Sequence, residues 1–273
     1  MRIRIAKIGL NTLLIILGII TLIPFVWMVL SSFKSNVEIN SLHQTLFPKE
    51  FTFDNYLTMN DNFNFVRFFG NSLFLSATVT ILVSMSSTVA GYVLSKYEFK
   101  GRNLIFSFII GTMMIPWAVT IIPKYSIISK IGWMDSYAAL IIPVMFSGFG
   151  IFMLRQYMMG VPDELLEAAR IDGANEFYIV AKIIFPLSRN AISSIAIFQF
   201  LWVWEDFLWP FIVINNEKKQ VLAVGLKLFS GRFSTNYGGL FAATAISIIP
   251  VIIVYLIFQK RFVEGITASA VKG

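Results

Sequence analysis

The chain has 273 residues, of which 57% are hydrophobic and 14% charged, and its mean hydropathy is +0.75. A soluble domain carries about a quarter charged residues, so burial in a core cannot explain this composition, which indicates a polytopic membrane protein. The net charge of +7 does not indicate nucleic-acid binding, because the basic residues form no patch and lie between apolar runs.

Six apolar runs, each near the roughly 20 residues that a bilayer requires, predict six transmembrane helices. They are Gly9–Leu30, Asn71–Val93, Leu104–Pro123, Tyr137–Leu154, Ala191–Ile214 and Leu240–Phe258. Pro116, Pro123 and Pro143 interrupt or bound the third and fourth runs, which is tolerated where neighbouring helices satisfy the freed carbonyls. The whole chain, 1–273, is therefore predicted to be one transmembrane domain of an all-α polytopic membrane protein.

The orientation of these spans follows from the charges around them. The first run follows a basic start, as a signal peptide does, but it is too long and no small-x-small cleavage site precedes Lys34. Short loops carry the most weight in topology, and the tight loop from Lys96 to Arg102 is basic. We therefore expect a retained first span, both termini in the cytoplasm, and a sizeable outside loop over Ser31–Phe69.

The second run is rich in small residues, including Ser76, Ser84, Ser87 and Gly91. Small residues allow membrane helices to approach closely, and they also suit the wall of a hydrated path. Packing is the commoner use and is the preferred interpretation.

The segment from about residue 160 to 188 is a part-polar interruption between two apolar stretches. Pro162 and Asp163 suit the first turn of a helix, where an acid faces the positive end of the helix dipole. Leu165, Ala168 and Ala169 then share one helical face. Gly173 can take a positive φ and end this helix.

A second short amphipathic helix is predicted after that glycine. Phe177, Val180, Ala181 and Ile184 repeat at helical spacing, and Pro186 ends the pattern. Two short helices joined at a glycine form a knob that suits a groove on a partner protein. The alternative is a hairpin lying on the membrane surface, and periodicity alone does not decide between them.

The residue identities in this loop decide between the two interpretations, in favour of a knob that docks on a partner protein. Glu-Ala-Ala, then Asp-Gly-Ala, then a distant Pro-Leu resembles the signature loop of permease subunits in bacterial ABC importers, although Phe185 stands where that family often has leucine. The resemblance implies a type I ABC importer permease whose loop over about 160–188 contains the coupling helix. The residues to which it assigns ATPase docking are Glu167, Ala168, Ala169, Asp172, Gly173, Ala174 and Phe177.

Other elements extend the resemblance over most of the chain. These are Phe53-Asp54-Asn55-Tyr56, Asn71-Ser72-Leu73, Phe99-Lys100-Gly101-Arg102, Ile115-Pro116 and Gln259-Lys260-Arg261-Phe262-Val263. The C-terminal end resembles the smaller permease of maltose-type carbohydrate importers, whose tail reaches between the two ATPase subunits. That resemblance implies that Val271, Lys272 and Gly273 contact the ATPase.

The same resemblance implies a carbohydrate importer in the bacterial cytoplasmic membrane. Its implied partners are a second permease, an ATPase homodimer or equivalent, and an extracytoplasmic sugar-binding protein. The chain has no Gly-x-x-x-x-Gly-Lys-Ser/Thr stretch, so ATP and magnesium are expected on the partner ATPase, with no cofactor on this chain. In the maltose-type system the sugar contacts lie largely on the partner permease.

Glu205 and Asp206 are acids inside the predicted fifth span, and acids at membrane depth are functional suspects. They could line the translocation path, or serve as the ion site of an ion-coupled carrier, which is the alternative function. The alternative without a functional role is that the acid lies near the membrane–water interface, within a belt of aromatic residues. An intramembrane enzyme is not indicated, because cysteine is absent and the one histidine, His43, lies in a polar stretch. No catalytic or metal-binding residue is therefore predicted.

Overall fold

The computed structural model of the protein describes residues 2–229 and 235–270, and over these ranges the backbone is predominantly helical. The α-helices are α1 (Arg2–Ser31), α2 (Asn36–Ile39), α3 (Asp54–Asn62), α4 (Phe65–Lys96), α5 (Arg102–Met113), α6 (Trp117–Lys130), α7 (Tyr137–Ile141), α8 (Gly148–Met158), α9 (Asp163–Ile171), α10 (Glu176–Tyr178), α11 (Phe185–Leu187), α12 (Arg189–Trp204), α13 (Leu208–Val213), α14 (Leu222–Lys227) and α15 (Tyr237–Ala270). Short 3-10 turns occupy Ile142–Val144 and Glu217–Lys219, and a π-helical turn occupies Ile179–Ile184.

Four stretches of these helices are long and apolar enough to cross a membrane. They are Lys7–Ser31, Phe65–Lys96, Tyr137–Met158 and Tyr237–Lys260. Two further pairs of helices pass the same test but are bent, α5 with α6 by 103° and the helical stretch Glu176–Leu187 with α12 by 79°. The described residues thus hold between four and six spans, and the chain is an all-α polytopic membrane protein.

The third predicted span, Leu104–Pro123, is not one straight helix. α5 ends at Met113, and α6 begins at Trp117, directly after Pro116. Proline has no N–H to donate and disfavours a helical conformation at the residue before it, so the chain turns at this point. Pro123, in contrast, lies inside α6 without ending it.

The fifth predicted span, Ala191–Ile214, is also divided. α12 ends at Trp204, Glu205 is its C-terminal cap, and α13 begins at Leu208. Pro210 lies in the first turn of α13, where its missing N–H costs nothing, whereas it would have broken a helix that continued from α12. The remaining spans differ from prediction at their ends; α4, for example, begins at Phe65 rather than Asn71.

The chain forms two compact units, residues 1–66 with 225–249 and residues 67–224 with 250–273. In the first unit, the buried Asn55 donates hydrogen bonds to the carbonyls of Ser32 and Lys34, at 2.8 and 2.7 Å. The Tyr56 hydroxyl lies 2.6 Å from the Ser32 Oγ. The Asn-Tyr pair noted in the sequence therefore fastens α3 to the turn after α1.

In the second unit, small residues bring α4 and α8 into close contact. A Cβ added to Gly91 would lie 2.9 Å from the Leu154 Cβ, and one added to Gly150 would lie 2.3 Å from the Ser87 Oγ. At these positions the small residues of α4 serve helix packing, as preferred from the sequence.

Replacement of Gly150 by leucine should force α4 and α8 apart and cost on the order of 3 kcal/mol, the upper part of the usual range for overpacking. We expect a lower yield of monodisperse protein in detergent and a lower melting temperature. Gly111→Leu is the control, because nothing lies within 4 Å of the Cβ position at Gly111 in α5. Equal losses in both variants would contradict the close-packing explanation.

Candidate functional site

The loop between α8 and α12 contains the predicted docking residues, and its first helix is α9. Pro162 is the N-terminal cap and Asp163 the first helical residue, as the sequence predicts. Leu166 is 1% exposed and belongs to the same buried cluster as Leu154 and Met158 of α8. Glu167 and Ala168 face outward, and Ala169 is half-buried. Leu166 therefore packs α9 against α8, and the side of α9 that carries Glu167 and Ala168 is exposed.

Gly173 ends α9 in a left-handed conformation, with φ +86°. Its N–H donates to the Arg170 carbonyl at 3.0 Å, and the Ala174 N–H donates to the Ala169 carbonyl at 2.9 Å. This pair of bonds defines a Schellman motif. The positive φ predicted for Gly173 is confirmed, and Asp172, the C-terminal cap, is exposed beside it.

The second helix begins at Glu176, and its N-terminal cap is Asn175, whose Oδ1 accepts a hydrogen bond of 2.8 Å from the Tyr178 N–H. The apolar residues predicted at helical spacing, Phe177, Val180, Ala181 and Ile184, do not all lie in the same environment. Ile184 is fully buried and Val180 half-buried, whereas Phe177 is 83% exposed and Ala181 is exposed.

The reason for this difference is the π-helical turn at Ile179–Ile184, which is wider than an α-turn and shifts the spacing of residues on a face. The fully buried residue that the 3.6-residue spacing missed is Ile179. Phe177 and Ala181 instead line an apolar groove of 610 Å³ between this helix and the end of α4. The helical stretch also runs past Pro186 to Leu187, so the chain bends after Ser188 rather than at the proline.

The outer surface of the loop carries apolar side chains among acids. Ile171 is 86% exposed, and Leu165 and Phe177 are exposed as well. Glu167 and Asp172 lie on the same short segment and are also exposed. Large apolar side chains at the tip of a polar loop are typical of a surface that becomes buried against another protein.

A hydrogen-bonded network joins this loop to the end of α4. The Arg170 Nε donates to Glu176 Oε1 at 2.9 Å, which links α9 to α10. The Tyr92 hydroxyl of α4 donates to Glu176 Oε2 at 2.8 Å and accepts from an Arg170 terminal nitrogen at 3.2 Å. Tyr97 lies against the same arginine, its ring centroid 5.8 Å from the guanidinium carbon. The Tyr92 side chain of α4 thus bonds both short helices, α9 through Arg170 and α10 through Glu176.

A second attachment lies one turn further along α4. The buried Lys96 ammonium is 2.7 Å from the Asp163 carboxylate at the start of α9, and it also donates to the Val161 carbonyl. In addition, the Tyr157 hydroxyl of α8 donates to the Leu187 carbonyl at 3.0 Å. The loop therefore has fixed contacts at its beginning, middle and end.

Sequence reasoning did not identify Tyr92, Arg170 and Glu176 as site residues. The one available signal was an arginine and a glutamate on either side of the glycine, which suggests a contact across the turn. The hydrogen bond from Arg170 holds the pKa of the Glu176 carboxyl at about 2, so this carboxylate is ionised at neutral pH. The network is consequently a charged one under physiological conditions.

Glu205 and Asp206 do not form a pair. Glu205 is exposed at the end of α12, whereas Asp206 is half-buried in the turn before α13. Asp206 Oδ1 accepts a hydrogen bond of 3.3 Å from the Trp209 N–H. No group of three or more potential metal ligands occurs within the described part of the chain. The predicted tail residues Val271, Lys272 and Gly273 lie outside the described residues.

The start of α4 is fastened to the segment around Lys218. Asn71 donates to the carbonyls of Lys218 and Gln220, at 3.0 and 2.8 Å, and the Ser72 Oγ accepts from the Leu222 N–H at 2.8 Å. The Asn-Ser pair noted in the sequence thus holds one end of α4, while Tyr92 and Lys96 hold the other.

Comparison with known proteins gives three informative similarities. Residues 87–268 match the family described as binding-protein-dependent transport system inner membrane component. The chain is 36% identical to the arabinooligosaccharides transport system permease protein AraQ of Bacillus subtilis (strain 168), over 98% of this chain and 96% of that protein. It is 33% identical to the trehalose/maltose transport system permease protein MalG of Thermococcus litoralis, over 95% and 94% of the two chains.

A solved structure shares the fold. One chain of a bacterial ABC transporter involved in the import of the acidic polysaccharide alginate superposes with a TM-score of 0.84 and 26% sequence identity. The match covers 95% of this chain and 97% of that one.

Proposed function

Because this chain belongs to the family of binding-protein-dependent transport system inner membrane components, we propose that it is the permease subunit of an ATP-driven carbohydrate importer. The observation that carries the proposal is the exposed loop around Gly173, which is anchored to α4 and presents apolar side chains outward. As a permease the protein forms part of a transport path and is not an enzyme. Carbohydrate is the proposed substrate class because the similar proteins named above transport oligosaccharides or related sugars.

The loop couples the permease to an ATPase on another chain. Glu167, Ala168 and Asp172 lie on its exposed side and Phe177 at its tip, so they are available to a partner's groove. Ala169 is half-buried, and with Gly173 and Ala174 it shapes the turn between the two helices. ATP and magnesium bind to the partner ATPase, since this sequence has no phosphate-binding glycine loop.

The importer contains a second permease that completes the translocation path, and a binding protein delivers the sugar from outside. The exposed apolar surface of α1 supports this arrangement, since none of its apolar span is buried within this chain. Such a surface requires lipid or another transmembrane helix. Sugar, binding protein and nucleotide act on the transporter by favouring different conformations through their differential affinities.

Both termini face the cytoplasm in the proposed topology. The Lys96–Asp163 ion pair, which joins the end of α4 to the start of the docking loop, supports a topology with both on the same side of the membrane. An ATPase-docking loop must be cytoplasmic, and the excess of basic residues in the 96–102 turn agrees with that side. The C-terminal residues Val271, Lys272 and Gly273 are then on the same side as the ATPase, where we propose that they contact it.

An ion-coupled carrier using Glu205 or Asp206 is the second function considered. It would need a converging ion site, yet Glu205 is exposed and no potential metal-ligand group is found over the residues described. The family membership favours the ATP-driven importer instead.

The experiment that tests the proposal is purification of the tagged chain after co-expression with its genomic neighbours. We expect a second permease and an ATPase to co-purify, and we expect ATP hydrolysis by the complex to rise when the binding protein carries particular sugars. The sugar panel then names the substrate. A chain that purifies alone, without associated ATPase activity, would overturn the proposal.

A further inference from the structure

A cavity of 340 Å³ lies among α4, α7, α12 and α13 and the turn that leads into α8, away from the docking loop. Its α4 residues are Ser72, Leu75 and Val79, whereas the loop is attached at Tyr92. Val79 and Tyr92 are 13 positions apart in α4, which is about 20 Å at 1.5 Å per residue. In the proposed topology the cavity therefore lies in the outer half of the membrane, which a solute arriving from outside reaches first.

The most informative residue of this cavity is Gln199 in α12. It is 6% exposed, and its side chain makes no hydrogen bond to any other residue that the structure describes. Because Gln199 lines the cavity, a ligand or water there can satisfy its amide. Gln199 can both donate to and accept from that ligand.

Other polar groups converge on the same space. Asp206 uses Oδ1 to accept from the Trp209 N–H, and within the described residues its second oxygen has no hydrogen-bond donor. Ser147 accepts from the Gly150 N–H and Ser72 from the Leu222 N–H, so each hydroxyl keeps its own proton for donation. The cavity thus offers an amide, a carboxylate oxygen and two hydroxyl donors to one occupant.

Trp202 supplies an apolar surface beside these polar groups. It is 51% exposed, and Phe198 stacks on it with the ring centroids 5.8 Å apart. Phe149 meets it edge-on at 5.6 Å, which holds the indole in place. A fixed aromatic face next to hydroxyl and carboxyl groups suits a ligand that is apolar on its ring face and polar at its edges, as a sugar ring is.

We propose that this cavity is a binding subsite for one ring of a neutral carbohydrate, with Gln199 and Asp206 bonding its hydroxyls and Trp202 contacting its ring face. The inference rests on the proposed function. The volume is near the lower limit of the roughly 300–1,000 Å³ typical of small-molecule sites. Asp206 is the one charged residue among the described residues that line the cavity, and Lys124 lies behind it, 3.8 Å from the Trp209 ring centroid, and attracts it. Removal of the Asp206 charge is therefore expected to favour an anionic ring over a neutral one.

The test uses the reconstituted transporter with its partner permease, ATPase and binding protein. Initial uptake of neutral oligosaccharides and of uronate oligosaccharides is measured with Gln199→Leu, Asp206→Asn and the control Glu205→Gln. Leucine and asparagine nearly conserve the side-chain volumes, and asparagine still accepts from the Trp209 N–H. Glu205 is the neighbouring exposed acid, which does not line the cavity.

Loss of a hydrogen bond to the sugar is expected to slow uptake of neutral oligosaccharides about tenfold in both cavity variants. Asp206→Asn should also raise uronate uptake relative to neutral uptake, an effect that a purely structural role would not produce. Wild-type rates and an unchanged ratio in both variants would overturn the subsite while the importer function stands. Failure of the wild-type complex to transport any sugar would refute the proposed function itself.

Discussion

Replacing Gly173 by proline is expected to abolish ATP-driven uptake while leaving membrane insertion intact. Proline fixes φ near −65°, whereas Gly173 has φ +86°, and it removes the N–H that donates to the Arg170 carbonyl. The loss of this turn should cost at least about 3 kcal/mol, which corresponds to a more than hundredfold change in an equilibrium. The measurements are sugar uptake, ATP hydrolysis and the amount of ATPase that co-purifies.

The chain offers a closely matched control at Gly132, after α6. Gly132 has φ +75°, its N–H donates to the Ser129 carbonyl, and the Trp133 N–H donates to the Ile128 carbonyl. The local damage of Gly132→Pro is therefore the same, but it occurs away from the docking loop. We expect that variant to retain ATPase association. Normal uptake by Gly173→Pro, or equal loss of the ATPase in both variants, would refute the coupling role of this loop.

Replacing Arg170 by leucine is expected to separate ATP hydrolysis from uptake. The substitution removes the donor to Glu176 and to the Tyr92 hydroxyl, but it leaves Phe177 and the other exposed docking residues in place. The Arg170–Glu176 pair is roughly half exposed and Glu176 keeps its bond from Tyr92, so the substitution should weaken the attachment of the loop by about 1 kcal/mol. That free energy corresponds to a roughly fivefold loss of attached loop.

The expected signature is normal co-purification of the ATPase and continued ATP hydrolysis, with severalfold less sugar moved per ATP. Lys182→Leu is the control, because it removes a positive charge from the same loop at an exposed residue that has no ion pair within the described structure. Glu176→Gln should resemble Arg170→Leu, since it weakens the same bond from the other side. Unchanged coupling in both network variants would mean that movement reaches α4 by another route.

The features that depend on local chemistry were predictable from sequence. Pro162 and Gly173 bound α9 because proline and glycine have conformational preferences that act wherever they occur. The long apolar runs predicted membrane spans, since a bilayer requires apolar length regardless of neighbouring helices. The assignment of docking residues rested on resemblance, and their contacts with an ATPase stay a prediction.

The features that depend on tertiary packing were not predictable. Periodicity grouped Leu165 with Ala168 and Ala169, but it gave no sign that Leu166 is the fully buried residue of α9. In the second helix, the π-helical turn shifts the spacing of residues on a face, because a 3.6-residue spacing cannot anticipate a wider turn. The Tyr92–Glu176 bond joins residues 84 positions apart, and the cavity around Gln199 requires four helices to assemble. One sequence without an aligned set gives no signal for such distant contacts.

α4 can act as a lever, because it is continuous and is fastened at both ends. From Asn71, bonded to the Lys218 segment, to Lys96, paired with Asp163, it has no proline and measures about 38 Å at 1.5 Å per residue. A tilt of about 5° around its loop end would displace the far end by about 3 Å, which exceeds the length of a hydrogen bond. Any small rotation imposed at the loop end of α4 would thereby be enlarged at its other end.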